Sequence, residues 1–269
     1  MRWTVRQRIV TAAAATIVAA LAVMDACTSS GAGVESTPSP TPTPRPTATA
    51  APTTTATPTQ AAAGSLPPVG SPTATAETPV ALAVSGYRFP IEGACLPTSD
   101  NLLPNATRDY RAGIHEGIDF YPGLACAEIA QGTPVLAAKD GTVIRADLSY
   151  VGLTADELNE LLTRSQSQGY TDAAALDRFR GRQVWIVHGD GIITRYAHLD
   201  GISPGIDVGV PVQAGQVVGY VGESGTPESV TAPGTEMHLH FELRVGDSYL
   251  GAGLPLDQVL ALLERAFSP

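Results

Sequence analysis

The sequence predicts a small, mainly β domain of antiparallel type, and three observations carry that expectation. Short runs rich in Val, Ile, Leu and Ala recur between residues 133 and 245 and are separated by Gly-rich turns, the pattern of a sandwich or barrel. Helical spacing of apolar residues is confined to an insertion at 148–181 and to the C-terminus. From Thr28 to Val84 the chain is Thr, Ala, Pro and Ser, with so little to bury that no core can offset the entropy of ordering it.

Taken in order, Thr133–Ala138 and Thr142–Ala146 flank Lys139-Asp140-Gly141, and Asp-Gly between two such runs predicts a hairpin. Gln183–His188 and Ile192–His198 flank Gly189-Asp190-Gly191 and predict a second. Further strands are expected at Val210–Val212, Gln216–Val221 and Met237–Val245. Within the insertion, Thr154-Ala-Asp-Glu157 is a capping box followed by Leu158, Leu161 and Leu162 at helical spacing. Thr171-Asp172 caps a second short helix bearing Leu176 and Phe179 and ended by Gly181. Leu256, Leu260, Leu263 and Phe267 form one face of a closing helix.

The N-terminal region has its own logic. Arg2, Arg6 and Arg8 precede the uncharged apolar stretch Ile9–Val23, too short for a membrane span but suited to an export signal over residues 1–26. Cys27 then opens a polar run, as in a bacterial lipoprotein whose cysteine carries the lipid. Residues 27–84 are expected to be a disordered Pro/Thr/Ala-rich tether, and more than half of the 22 prolines fall before residue 91. The folded part is expected at 85–269. Four of the 16 basic and three of the 26 acidic residues lie in the first 84, leaving 12 against 23 and a net charge of −11 for the domain. Such a balance excludes a nucleic-acid binder and makes an anchor, not surface charge, the means of holding the domain at a membrane.

Four of the five histidines sit in suggestive surroundings. His115-Glu-Gly-Ile-Asp119 sets an imidazole four residues from a carboxylate. In Met237-His-Leu-His-Phe-Glu-Leu243 the alternation of a strand puts His238 and His240 on one face, roughly 6.5–7 Å apart at the backbone. Two imidazoles and a carboxylate with an open fourth position are what a catalytic zinc requires. Alone, His115 and Asp119 read more often as a surface ion pair, and a His-x-His pair also occurs on exposed strands; their value is joint.

Four segments occur in order: His115-Glu-Gly-Ile-Asp119, Gly132–Val143, His188–Leu199 and His238-Leu-His-Phe-Glu242. This series resembles the lysostaphin/LytM-type zinc metallopeptidases, peptidase family twenty-three, over about residues 87–250. The resemblance implies a barrel-sandwich-hybrid β fold with a groove for peptidoglycan peptides and one zinc ion per chain. It makes His115, Asp119 and His240 the metal ligands, and His198 and His238 the catalytic histidines, with the split of roles between them open. The expected product of the whole chain is an exported zinc endopeptidase cutting cell-wall cross-links as a monomer. It would be held by lipid at Cys27 on the outer face of the cytoplasmic membrane, or secreted. A wall-binding, non-catalytic relative that activates another hydrolase is the alternative.

The remaining residues receive plainer readings. Cys95 and Cys126 form an expected disulfide, since an even pair in an exported domain is oxidised. His188 is read as structural or solvent-facing, Glu242 as a surface strand residue that could otherwise orient a ligand, and Tyr110 is left out of the site. The insertion reads as decoration by default, with a lid over the groove as the sharper option. The Ser/Thr/Pro/Gly-rich stretch Glu223–Glu236 is expected to edge the groove. Lys139, the sole lysine, stands at a turn as in biotinyl or lipoyl carrier domains, but that reading leaves the histidines unexplained.

Overall fold

The computed structural model describes residues 84–269, so the expected signal segment, Cys27 and all of the tether but Val84 lie outside the described residues, and Val84 is buried in the apolar core instead of ending a tether. Among the described residues the first strands are an antiparallel pair, β1 (Thr107–Arg108) and β2 (Gly113–Ile114), followed by β3 (Ile118–Phe120), β4 (Pro134–Leu136) and β5 (Gly141–Ala146). Helices α1 (Ala155–Gln168) and α2 (Ala173–Arg180) make the insertion. Then come β6 (Val184–His188), β7 (Ile193–Ala197), β8 (Leu199–Ile202), β9 (Pro211–Val212) and β10 (Val217–Val221). The short α3 (Glu228–Thr231), β11 (Leu239–Val245), β12 (Ser248–Tyr249) and α4 (Leu256–Ala266) complete it.

The strands form a large antiparallel sheet in the order β12-β11-β7-β6-β5-β9, with β3 also paired to β11, and a smaller sheet β4-β10-β8. A single apolar cluster serves both. Tyr196, Phe120, Phe241 and Ile186 from the large sheet and Val135, Val218 and Val221 from the small one are buried together. Helix α4 closes the cluster with Val259, Leu263 and Ala266, and Phe267 beyond it stacks on Phe89 at 4.2 Å. The mainly β, antiparallel class is as the sequence predicts.

The second expected hairpin is present as β6–β7, with His188 N donating to the Ile192 carbonyl across the turn. The first is not. β4 pairs with β10 and β5 with β6 and β9, so Lys139-Asp140-Gly141 passes from one sheet to the other. The wholly buried Ala137 and Ala138 explain the change, giving their N–H groups to the Gln216 carbonyl (2.9 Å) and Tyr196 Oη (2.8 Å) instead of to β5. Asp-Gly supplied the turn, but partners elsewhere in the chain decided the pairing.

Both insertion helices are capped as expected. Thr154 Oγ1 accepts from Glu157 N at 3.2 Å, and Asp172 Oδ1 accepts from Ala175 N at 2.8 Å. Leu158, Leu161, Ala175 and Phe179 form a small core of their own. Gly181 ends α2 at φ +68°, and a Cβ there would meet the Ser224 carbonyl oxygen at 2.0 Å. Cys95 and Cys126 are joined, with Cα atoms 5.4 Å apart, so the loops on either side of the His115–Asp119 segment are tied together.

Gly181→Ala should therefore destabilise the domain by about 2 kcal/mol or more through strain and clash, seen as a Tm lower by roughly 4–8 °C. Reduction of the disulfide, which spans 31 residues, should cost about 3–4 kcal/mol in the chain-entropy account. Urea unfolding with and without reductant measures it, and coincident curves would contradict the bracing role.

Candidate metal centre and cleft

Register brings the candidate residues together. On β11, His240 lies directly opposite Asp119 of β3 on one side and Ala197, the last residue of β7, on the other. Two neighbouring strands thus deliver Asp119 and His198 to the two flanks of His240. His115 arrives from the loop before β3, its main chain fixed by His115 N to the Ala106 carbonyl (2.8 Å) and Asn105 N to the His115 carbonyl (2.9 Å). That loop lies tight on β11 because position 117 is glycine. A Cβ there would meet the Phe241 carbonyl oxygen at 2.4 Å and the His240 ring at 2.9 Å.

The result is a triangle of donor atoms. His115 Nε2 and Asp119 Oδ1 are 2.9 Å apart, His240 Nδ1 and Asp119 Oδ1 2.8 Å, and the two imidazole nitrogens 3.0 Å. Each ring is oriented from behind. His115 Nδ1 donates to the Leu103 carbonyl at 2.9 Å, and His240 Nε2 donates to Glu242 Oε1 at 3.0 Å, which leaves the nitrogens of the triangle with their lone pairs. Arg108 Nη2 takes the other oxygen of Asp119 at 2.8 Å. All three groups are buried. The set fits a divalent ion of zinc type. Tetrahedral zinc–nitrogen and zinc–oxygen bonds need donor atoms roughly 3.3 Å apart, so an opening of a few tenths of an ångström admits it.

The electrostatics of His115 and Asp119 suit metal donors, whereas His240 has to release a proton to bind an ion. Burial holds the His115 pKa down at about 4. Burial alone would raise Asp119, but His115 and His240 hold it well below the usual carboxylate range. Burial works against a charge on His240 too, yet its hydrogen bonds to Asp119 and Glu242 push its pKa up.

His198 and His238 stand beside this triangle. Their ring centroids are 4.6 Å apart, and that of His198 is 5.7 Å from His240. His198 has φ +60°, a left-handed conformation rare outside glycine, at the junction of β7 and β8. It is held there by its N–H on the Arg180 carbonyl (2.9 Å) and its Nδ1–H on the Ser224 carbonyl (2.8 Å). His238 Nδ1–H donates to the Glu236 carbonyl at 2.7 Å, its Nε2 lies 3.8 Å from Asp119 Oδ1, and the Tyr121 ring stacks on it at 4.2 Å.

These five residues line one cavity of about 540 Å³. Its walls differ from expectation in three respects. Leu162, Leu176, Phe179 and Arg180 of the insertion line it, so the helices are a wall of the cleft and not mere decoration. Tyr110, which was left out of the site, lines it as well and meets Phe179 edge-on at 6.2 Å. Glu242 is no surface glutamate. It is wholly buried, accepts from His240 and Arg180, and the paired positive groups hold its carboxyl far below the usual range although burial opposes this. The alternation of β11 does turn Glu242 away from the apolar core, but the end of α2 covers that face.

Thr226, Pro227, Glu228 and Glu236 supply the groove edge expected of Glu223–Glu236. His188 stands apart, buried and bonded to the Asp140 carbonyl and Thr194 Oγ1 (2.9 and 2.8 Å), a structural role. Lys139 is tied to Asp190 at 2.8 Å and the Ser85 carbonyl at 3.0 Å, which a carrier lysine would not be. Sequence reasoning missed Arg108, Tyr121 and Arg180, whose only local signals were those of an ordinary loop or helix end.

The model of peptidase family M23 matches residues 113–252, more than half of the chain. Lysostaphin of Staphylococcus staphylolyticus is 29% identical over 134 residues, which are 49% of this chain and 19% of that protein. The L-Ala--D-Glu endopeptidase of Bacillus subtilis (strain 168) is 35% identical over 81 residues, 30% of this chain and 25% of that one. The chain thus spans a quarter or less of the length of these relatives. A zinc containing peptidase from Vibrio cholerae superposes with a TM-score of 0.37 at 24% identity, covering 63% of this chain and 40% of that one. With the family model matched over more than half of its length, this chain belongs to peptidase family M23.

Proposed function

We propose that the chain is an exported zinc endopeptidase that hydrolyses peptide cross-links of bacterial peptidoglycan. The observation that carries this reading is the triangle of His115, Asp119 and His240 facing a cleft beside two further imidazoles. Membership of a peptidase family supports hydrolysis, and relatives named for a wall-peptide bond and for lysostaphin support the substrate class.

His115 Nε2, Asp119 Oδ1 and His240 Nδ1 would hold the ion. Zinc in such a site supplies Lewis acidity toward the scissile carbonyl and brings the pKa of water down to about 7. The chain supplies the proton handling. Because His198 and His238 each spend Nδ1–H on a main-chain carbonyl, each presents the lone pair of Nε2 to the cleft. Burial lowers both pKa values below 6.5, so both are uncharged at neutral pH and able to accept. One takes the proton of the attacking water at Nε2 and returns it to the leaving amine, while the other stabilises the oxyanion only in its protonated form, with a second N–H at Nε2. Tyr121 keeps the His238 ring in plane by stacking, and its hydroxyl donates to Glu236 at 2.5 Å. The signal at 1–26, lipid at Cys27 and the tether at 27–84 would carry this domain to the cell envelope.

Digestion of purified peptidoglycan of known cross-link chemistry, with mass analysis of the fragments, tests the reading. The parent should bind one zinc and release cleaved peptides, and His240→Ala should lose both. A zinc-replete parent that binds wall without cleaving it would instead make this a non-catalytic relative.

The histidines also set the stability of the metal-free protein. Burial lowers His115, His188, His198 and His238 below 6.5, His115 to about 4, whereas His240 alone is raised. On acidification the unfolded chain binds these protons first, so stability present above pH 6.5 is lost as the pH falls toward about 4. The urea midpoint of metal-free protein should be lower at pH 5 than at pH 7, and equal midpoints would contradict the assignment.

A further inference from the structure

We propose that Arg180, the last residue of α2, is a positioning residue of the metal centre. Its side chain fixes the orientation of His240 through Glu242, and its main chain fixes His198. This rests on the zinc reading of the preceding subsection and adds a role for the helical insertion.

Arg180 is buried, and its Nε donates to Glu242 Oε1 at 2.5 Å. That is the oxygen that accepts from His240 Nε2 at 3.0 Å. Its Nη2 donates to Glu116 Oε2 at 2.7 Å, one residue beyond His115. Its carbonyl accepts the N–H of His198, the residue held at φ +60°. The next residue, Gly181, lies against the Ser224 carbonyl that receives His198 Nδ1–H. One residue therefore touches the carboxylate that orients the His240 ring, the residue next to His115, and the main chain of a proposed proton carrier.

The other contacts of Glu242 define what Arg180 does. Arg244 Nη1 and Arg195 Nη1 reach Oε2, at 3.2 and 3.5 Å. Loss of Arg180 would leave the carboxylate charge compensated but free its other oxygen, the one that aims the His240 ring. The expected defect is therefore one of orientation, and orienting partners of metal-binding histidines are worth about 10–100-fold in affinity. Arg180 closes the insertion, so α1 and α2 act on the centre by way of this residue.

The test uses the full chain and zinc itself. Zinc affinity is measured by competition with a chromophoric chelator for the parent, Arg180→Gln, Arg180→Lys and Glu157→Gln. The last variant breaks the Glu157–Arg178 ion pair (2.6 Å) within the insertion but leaves Arg180 in place. Arg180→Gln should bind zinc about 10–100-fold more weakly, and at saturating zinc its kcat should fall with KM changed by no more than about twofold. Arg180→Lys keeps the charge but cannot bridge Glu242 and Glu116 with a planar fork, so it should lose affinity severalfold. Glu157→Gln should match the parent.

Parental zinc affinity in both Arg180 variants, or an equal loss in Glu157→Gln, overturns the proposal. If Arg180→Gln does not fold, Arg180→Lys is judged by the same criterion. A parent that binds zinc but cleaves nothing overturns only the peptidase reading, and the affinity series still decides the role of Arg180. A parent without affinity for zinc overturns both.

Discussion

The structure depends on β11 being buried on both faces. Leu239, Phe241 and Leu243 point into the apolar cluster, while His240, Glu242 and Arg244 alternate with them on a face that is closed to solvent as well. A sealed charge is tolerable only with partners, because desolvation costs several kcal/mol per ion. Here Glu242 is met by Arg180, Arg195, Arg244 and His240, and Arg180 and Arg244 share Glu116. On the side away from Asp119, His240 is thus backed by a polar network whose members come from α2, β7, β11 and the loop before β3.

This arrangement explains why the cleft is where it is. Antiparallel pairing of β11 with β3 and β7 sets the lateral positions of Asp119 and His198, and glycine at 117 lets the His115 loop come within contact of the strand. The helical insertion then raises one wall with Leu162, Leu176 and Phe179, and the segment from Thr226 to Glu236 raises another. The sheet places the candidate side chains; the parts that give the cleft its shape are insertions between its strands.

Much of this was legible in the sequence. Period-two alternation in Met237–Val245 put His238, His240 and Glu242 on one face, and the caps at Thr154 and Asp172 marked the helices. That the five histidine and aspartate side chains share one cleft followed from the ordered segments taken together. What was not legible depended on contacts distant in the chain. Alternation cannot say whether the non-core face of a strand meets water, and Glu242 was misread because Arg180, 62 residues away, covers it. Asp-Gly announces a turn but not which strands flank it, so the β4–β5 hairpin was expected where the chain changes sheets. Arg180 itself looked like a basic residue ending a helix, a position explained well enough by the helix dipole.

The arginines have a consequence for how the domain meets other molecules. Of the eleven in residues 84–269, Arg111, Arg180 and Arg244 are buried and Arg108 and Arg195 half-buried around the centre. Asp119, Glu223 and Glu242 are buried as well, so the buried charges cancel and the outer surface carries the domain's full net charge of −11, whose long-range field repels anionic polymers. Approach to such a polymer should become faster as ionic strength rises and the Debye length shortens, the reverse of the behaviour of a basic wall-binding protein.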